Sequence, residues 1–418
     1  MGLFLSGALV FDKGRFSPKD VFIDDGGSVF SPDVLPEGIS ISSCEFNNCI
    51  IVPGFLDVHV HLREPGFSYK ETIRSGTLAA AHGGFTGVCT MPNLSPVPDC
   101  YASLREQLAL IKRDALIKVK PFGSVTRGER GTELSDMEAL SEYVCGFSDD
   151  GKGIENEELM SDAMLMCKRL GKVLSAHCED TSLVNGGCIH AGEYARLHSH
   201  PGIVSESEWR PVERDIKLAA KTGCSYHVCH VSAKETVELI RQAKKAGIDV
   251  TCETAPHYLL LDDSDLIEDG RFKMNPPLRA RADREALLEG LCDGTVDMIA
   301  TDHAPHSREE KSRGLEKSIM GITGIELSFP LCYTHLVKKG IISLEKLVEL
   351  MSTNPKKRFN FDPGGYTVFK LDEQYSVTED FFQSMGKSTP FLGETVQGKC
   401  IMTVNERIVW DDRQKARP

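Results

Sequence analysis

Three absences narrow what this sequence can be. It contains no run of roughly eighteen apolar residues, the length a helix needs to cross a bilayer. It contains no Cys-x-x-Cys pair among its fourteen cysteines. Without such pairs or a secretory context, scattered thiols read as reduced and mostly buried, not as a disulfide or zinc framework. It also lacks an excess of basic residues, with 48 Lys and Arg against 61 Asp and Glu and a net charge of −13. That balance disfavours a nucleic acid or an anionic membrane as partner, because both call for a clustered basic patch. The apolar first ten residues lack a basic n-region and give way to Asp12 and Lys13, so they read as a strand and not as a signal peptide. A cytoplasmic location is expected. Neither an internal repeat nor a low-complexity linker is visible.

What is present fits an ordinary globular chain, 41 % apolar and 26 % charged over 418 residues. That length suits a barrel of roughly 250 residues or more with a smaller appended domain. Eight short apolar, β-branched runs recur: 54–61, 85–91, 119–124, 144–148, 173–177, 226–230, 249–254 and 296–301. Between them lie helix-period stretches, among them 69–82, 101–114, 157–170, 211–222, 234–246 and 284–292. Strands alternating with helices imply a parallel sheet, and eight repeats favour closure into a (β/α)8 barrel of the TIM type over an open doubly wound sheet.

The flanks differ. Residues 1–53 carry short alternating segments such as Ser28 to Phe30 and Ile39 to Ile41, and the tail after residue 363 does the same at Tyr366 to Leu371 and Cys400 to Val404. The expected division is a small β-sandwich domain made from 1–53 plus 363–418, beside a barrel spanning 54–362.

In such a barrel the chemistry sits at the C-terminal strand ends. His59 and His61 share one face of a strand and can bind one metal ion together. Alone the pair is a weak signal. It gains weight because other strand ends supply Asp150, His177, His230 and Asp302. Four imidazoles and two carboxylates can hold two zinc ions sharing a bridging carboxylate, with positions left for water. Zinc lowers the pKa of its water to about 7 and polarises a carbonyl, both of which amide hydrolysis needs. Asp302 is then the natural proton shuttle. Cys178 and Cys229, strand neighbours of His177 and His230, should point to the opposite face. For His227, His257 and His303 the expectation is a hydrogen-bonded structural role.

These motifs resemble those of the type I bacterial dihydroorotases of the amidohydrolase superfamily. The likeness is carried by residues 54–66 (Gly-Phe-Leu-Asp-Val-His-Val-His-Leu-Arg-Glu-Pro-Gly), 89–93 (Cys-Thr-Met-Pro-Asn), 147–151 (Phe-Ser-Asp-Asp-Gly), 273–279 (Lys-Met-Asn-Pro-Pro-Leu-Arg) and 301–306 (Thr-Asp-His-Ala-Pro-His), and it runs along nearly the whole chain. It implies the reversible closure of N-carbamoyl-L-aspartate to (S)-dihydroorotate in pyrimidine biosynthesis. It also implies one zinc on His59, His61 and Asp302, a second on His177 and His230, and Asp150 bridging both, with Asp149 in support.

The resemblance places His61, Arg63, Asn93, Asn275, His306 and the backbone at Met320 and Gly321 on the substrate. An Arg fork suits a carboxylate; the plainer role for Arg63 is a loop salt bridge with Glu64 or Glu71. Where relatives commonly show Pro-Phe-Gly-Ile, this chain has Ile319-Met320-Gly321-Ile322, a change that a backbone contact tolerates.

Allantoinases and dihydropyrimidinases would share the barrel and histidines, but they resemble one another in a carboxylated lysine at the fourth strand, usually after Phe, whereas here Ser148-Asp149-Asp150 follows Phe147. A third reading is a non-catalytic scaffold for aspartate transcarbamoylase. The complete ligand set argues against it, while association of an active enzyme with that partner stays open. A homodimer is expected.

Overall fold

The computed structural model describes residues 3–24, 26–30 and 45–412. The expected strand at Ile39 to Ile41 lies outside the described residues. The chain opens with β1 (Leu3–Asp12), β2 (Arg15–Ile23), β3 (Val29–Phe30), β4 (Glu45–Phe46) and β5 (Cys49–Pro53). It then runs through β6 (Phe55–Val60), β7 (Phe85–Thr90), β8 (Lys118–Pro121), β9 (Gly146–Phe147) and β10 (Val173–Ala176). After the short pair β11 (Ile189–His190) and β12 (Gly202–Ile203) come β13 (Tyr226–Val228), β14 (Val250–Thr254) and β15 (Met298–Ile299). It ends with β16 (Tyr366–Ser376), β17 (Thr395–Asn405) and β18 (Arg407–Asp411).

Two parallel sheets, β6-β7-β8 and β15-β14-β13-β10-β9, make one barrel. Single parallel bridges close the seams: Gly123 with Phe147 at one, Val60 with His303 at the other. At the second seam His61 N donates to His303 O at 2.9 Å. The expected (β/α)8 barrel is therefore the observed one. All eight strands are shorter than their apolar runs, β9 and β15 most of all, and residues past a strand's end turn to side-chain partners in the barrel. Thr301 Oγ1, for instance, donates to Asp57 Oδ2 at 2.6 Å.

Helix starts moved for local reasons. The first barrel helix begins at Ile73 and not near Tyr69, because the Thr72 side chain accepts from Ser75 N and caps it there. Another begins at Arg281, where Asp283 accepts from Ala280 N at 3.1 Å. The helix expected from Pro211 starts at Glu206 and carries that proline inside it.

Strands from both ends of the chain join one sheet, ordered β18-β17-β16-β5-β1-β2-β3 with β4 beside β1. Its side chains alternate between two cores, as a period of two requires. Cys49 and Ile51 pack with Leu5, Val21 and Val368, while Ile50 and Val52 face the barrel core with Phe369 and Ala79. Thr403 Oγ1 donates to Ala81 O at 2.7 Å and Asn405 Nδ2 to Thr86 O at 3.1 Å, tying sheet to barrel. Among the described residues no helix is long and apolar enough to cross a membrane.

Candidate metal centre

The six groups expected at the strand ends converge. His59 and His61 rings lie 5.5 Å apart, and both Nε2 atoms face Asp302 Oδ1, at 3.5 and 3.2 Å. Asp150 lies between the histidines, with Oδ1 3.2 Å from His59 Nε2 and Oδ2 3.5 Å from His61 Nε2. From the other side His177 Nδ1 and His230 Nε2 each stand 3.7 Å from Asp150 Oδ1 and 2.8 Å from each other. All six residues are buried. Asp302 and His230 hold positive φ, 47° and 34°. Such a conformation costs a side-chain-bearing residue about 1–3 kcal/mol and tends to persist at functional sites.

Proton positions show what the cluster asks for. His59 Nδ1 lies 2.5 Å from Glu253 Oε1 and must donate to it. That leaves the Nε2 lone pair aimed at carboxylate oxygens, acceptor against acceptor. His59 Nε2 and Asp150 Oδ1 are buried with no hydrogen-bond partner. A proton on Nε2 would remove that conflict, and against burial Asp150, Glu253 and Asp302 do hold the imidazolium form of His59 well above its ordinary pKa; a metal would take the place of that proton. Asp302, against the same burial, is held down to about 2 by His59 and His61. The centre therefore calls for positive charge among lone pairs, which a divalent cation supplies. His59, His61 and Asp302 bring ligand atoms within 4.8 Å of one another, as do His59, Asp150 and His230. The donor set fits a metal.

The substrate-side candidates surround this cluster. Asn93 Oδ1 is 2.9 Å from His61 Nδ1. Asn275 Nδ2 donates to Glu179 Oε1 at 2.8 Å and lies 3.5 Å from His177 Nε2. Arg63, with φ 62° and 8 % exposure, donates through Nε to Pro305 O at 3.2 Å and approaches His306 Nε2 at the same distance. The salt bridge considered for it is not formed. Glu64 instead caps Ile73 N at 2.8 Å, and Glu71 is engaged by Ser75, Ser384 and Met385 N. Among the described residues no carboxylate forms an ion pair with Arg63; its buried guanidinium feels Asp302, Asp150, Glu310 and Glu71 only from a distance. Met320 O lies 2.8 Å from His306 Nε2. Gly321 has φ 126°, and a Cβ there would stand 2.8 Å from Ala304 O, so that backbone needs glycine.

Two expectations fail, one at His257, whose buried Nε2 has no hydrogen-bond partner, the other at Cys229. Cys229 lies on the site side, where it groups with His59 and Glu253, because it still alternates with Val228, its N donating to Ala176 O at 3.1 Å, and His230 is the residue that departs. The positive φ at His230 swings that ring to the side Cys229 already occupies. Burial pushes the Cys229 thiol up to about 12, so it stays protonated. Cys178 does point away, its sulfur 3.2 Å from Tyr226 Oη. His227 is hydrogen-bonded to Thr251 and Glu253, and Asp149 accepts from Val125 N at 2.7 Å and Thr126 N at 3.0 Å.

Sequence reasoning missed Glu253, Glu179 and Lys311. Glu253 had a visible signal, a carboxylate inside an apolar strand run. Lys311 had none, since its role appears only in the folded chain. Its buried Nζ donates to Lys273 O, Ile319 O and Gly321 O at 2.9, 2.8 and 2.7 Å, fixing the loop that carries Gly321. The segment between β16 and β17 was also unforeseen at the mouth, where Thr323 N donates to Ser388 O at 2.8 Å.

The fold and this cluster together define a barrel hydrolase framework equipped for metal. Solved structures share that fold. L-hydantoinase (dihydropyrimidinase) from Arthrobacter aurescens superposes with a TM-score of 0.81 at 23 % identity, over 98 % of this chain and 96 % of that one. Dihydropyrimidinase from Brevibacillus agri NCHU1002 does so at 0.80 and 22 %, over 99 % and 96 %. A family model described as dihydro-orotase-like matches residues 48–236. A dihydroorotase from Fusobacterium nucleatum is 45 % identical over 99 % of both chains, and one from Bacillus cereus is 44 % identical over 98 % of both. The chain belongs to the dihydroorotase family.

Proposed function

We propose that this protein is a zinc-dependent enzyme interconverting N-carbamoyl-L-aspartate and (S)-dihydroorotate. The observation that carries the substrate choice is Arg63: a buried guanidinium two residues beyond His61 with no direct ion pair is suited to a substrate carboxylate, which neutral hydantoins and dihydrouracil lack. His59, His61 and Asp302 would hold one zinc ion and His177 and His230 a second, with Asp150 shared. Bound there, zinc would lower the pKa of water and polarise the amide carbonyl.

The protein's own groups supply the rest. Arg63, Asn93 and His306 hold the carboxylate end, while Asn275 and the Met320 and Gly321 backbone orient the amide. Asp302 turns Oδ1 toward His59 and His61, which leaves Oδ2 to take a proton from the attacking water and return it to the leaving ring nitrogen in the hydrolytic direction. Glu253 fixes His59 with Nε2 inward. We assign 54–362 to the catalytic barrel and 1–53 plus 363–418 to the companion β domain, and we place the enzyme in the cytoplasm as a homodimer. Light scattering of the purified protein, alone and with aspartate transcarbamoylase, tests both associations.

Supplied with zinc, the purified protein should interconvert the two compounds, followed by ultraviolet absorbance. No turnover in either direction overturns the assignment. Turnover of dihydrouracil or hydantoin in its place would favour the dihydropyrimidinase reading.

A further inference from the structure

Lys70 lies seven residues beyond Arg63 and carries no role in the reading above. Its Nζ is 3.2 Å from His306 Nδ1 and 3.0 Å from Glu310 Oε1. An ammonium only donates, so His306 Nδ1 must offer its lone pair and the ring proton must sit on Nε2. Nε2–H then donates to Met320 O at 2.8 Å. The other tautomer would satisfy Glu310 Oε2, 3.4 Å from Nδ1, and Arg63 Nη2, 3.2 Å from Nε2. It would set Lys70 hydrogen against Nδ1 hydrogen and Met320 O against a lone pair at the shortest contact of the four. The charged groups around the ring are Arg63, Lys70, Lys311 and Glu310, and three of the four are cations. Burial, then the three cations, hold His306 neutral against the pull of Glu310.

We propose that Lys70 is a positioning residue that, by donating to His306 Nδ1, fixes the tautomer with the proton on Nε2, which is given to Met320 O without substrate and shared, beside Arg63 Nη2, with the substrate carboxylate when it binds. The proposal rests on the dihydroorotase reading. Two N–H groups 3.2 Å apart suit one carboxylate, whose two oxygens can accept both. Glu310 holds the lysine in place and is itself held by Ser307 N at 3.0 Å and Tyr69 Oη at 3.2 Å.

The test is Lys70→Met, which keeps length and removes the donor, compared with Lys70→Arg in the zinc-loaded enzyme. Lys70→Met should raise KM for N-carbamoyl-L-aspartate about tenfold or more, with a smaller change in kcat, as expected for a lost contact to a charged group. The pH profile of kcat/KM should gain an ionisation near the ordinary imidazole value, about 6.5, and Lys70→Arg should recover most of the KM. An unchanged KM and pH profile would overturn the proposal, and so would a KM rise that tracks a fall in melting temperature and that arginine fails to rescue. A second arm needs no turnover. 15N shifts of labelled histidine, with His306→Gln to assign the signal, should show Nε2–H in the wild type and its loss or mixing in Lys70→Met. The same tautomer in both would overturn the proposal, whereas an inactive wild type would sink the dihydroorotase reading and leave this arm decisive.

Discussion

The metal-ligand candidates and the substrate-side candidates are held by different means. His59, His177, His230 and Asp302 sit at the ends of barrel strands, with Asp150 three residues past the two-residue β9, and their directions follow from strand geometry and buried partners such as Glu253. Asn275, His306, Met320 and Gly321 lie on loops with no ladder of their own, and cations pin those loops. Lys311 gathers three carbonyls, and Lys70 bridges His306 and Glu310. One side is thus built from anions and lone pairs that gather positive charge. The other carries a surplus of positive charge. A carboxylate-bearing amide fits the junction, its anionic end on Arg63 and its carbonyl toward the cluster.

The sharpest way to break this division is Asp302→Asn. It should keep bound metal, read by elemental analysis, and lose about 10²–10⁴-fold in kcat if Asp302 moves the proton. Unchanged activity would remove it from that role. Arg63→Ala should leave metal content alone and lower kcat/KM for N-carbamoyl-L-aspartate by about 10²–10³-fold, the scale of a buried charge losing its partner. Wild-type KM and kcat would return Arg63 to a structural part and blur the two halves.

A gentler effect is expected from Glu253→Gln, where a weaker acceptor meets His59 Nδ1–H. Zinc affinity, measured by competition with a chelator, should fall about 10–100-fold, as for other partners that orient a metal-bound histidine. An unchanged affinity would mean that the strand alone aims the ring.

Glu129 sharpens the contrast through stability, away from the chemistry. It is buried, Oε1 has no hydrogen-bond partner, and the neighbouring cation Lys152 is 4.0 Å away. Burial, then repulsion from Asp149, pushes its carboxyl from 4.5 to about 8. The folded chain therefore keeps a proton that the unfolded chain releases, and stability falls as pH rises from about 4.5 to 8. Glu129→Gln should gain stability over the wild type at pH 8, on the order of a few kcal/mol, and gain little near pH 4.5. Equal differences in denaturant midpoint at both pH values would show that the carboxyl is not neutral in the fold.

Much of this was legible before folding. The recurrence of eight apolar runs announced a closed parallel barrel because strand burial leaves a compositional trace. The histidines and aspartates were visible because polar residues at the end of an apolar run are conspicuous. Strand alternation predicted that His59 and His61 share a direction. It failed for the Cys229 and His230 pair, since the positive φ at His230 turns that ring to the side Cys229 faces.

By itself, then, the sequence determined the barrel, the alternation of two faces in the terminal sheet, and a short list of polar residues at strand ends. Those depend on local patterns of burial that a linear chain records. Only the tertiary structure decided that Arg63 lacks a carboxylate partner, that Glu253 orients His59, and that Lys70 and Lys311 hold the loops of the mouth. Each of these joins groups far apart in the chain or depends on which of several nearby partners is engaged. Hydrogen-bond satisfaction and charge compensation are properties of the packed interior, and no spacing along the chain encodes them.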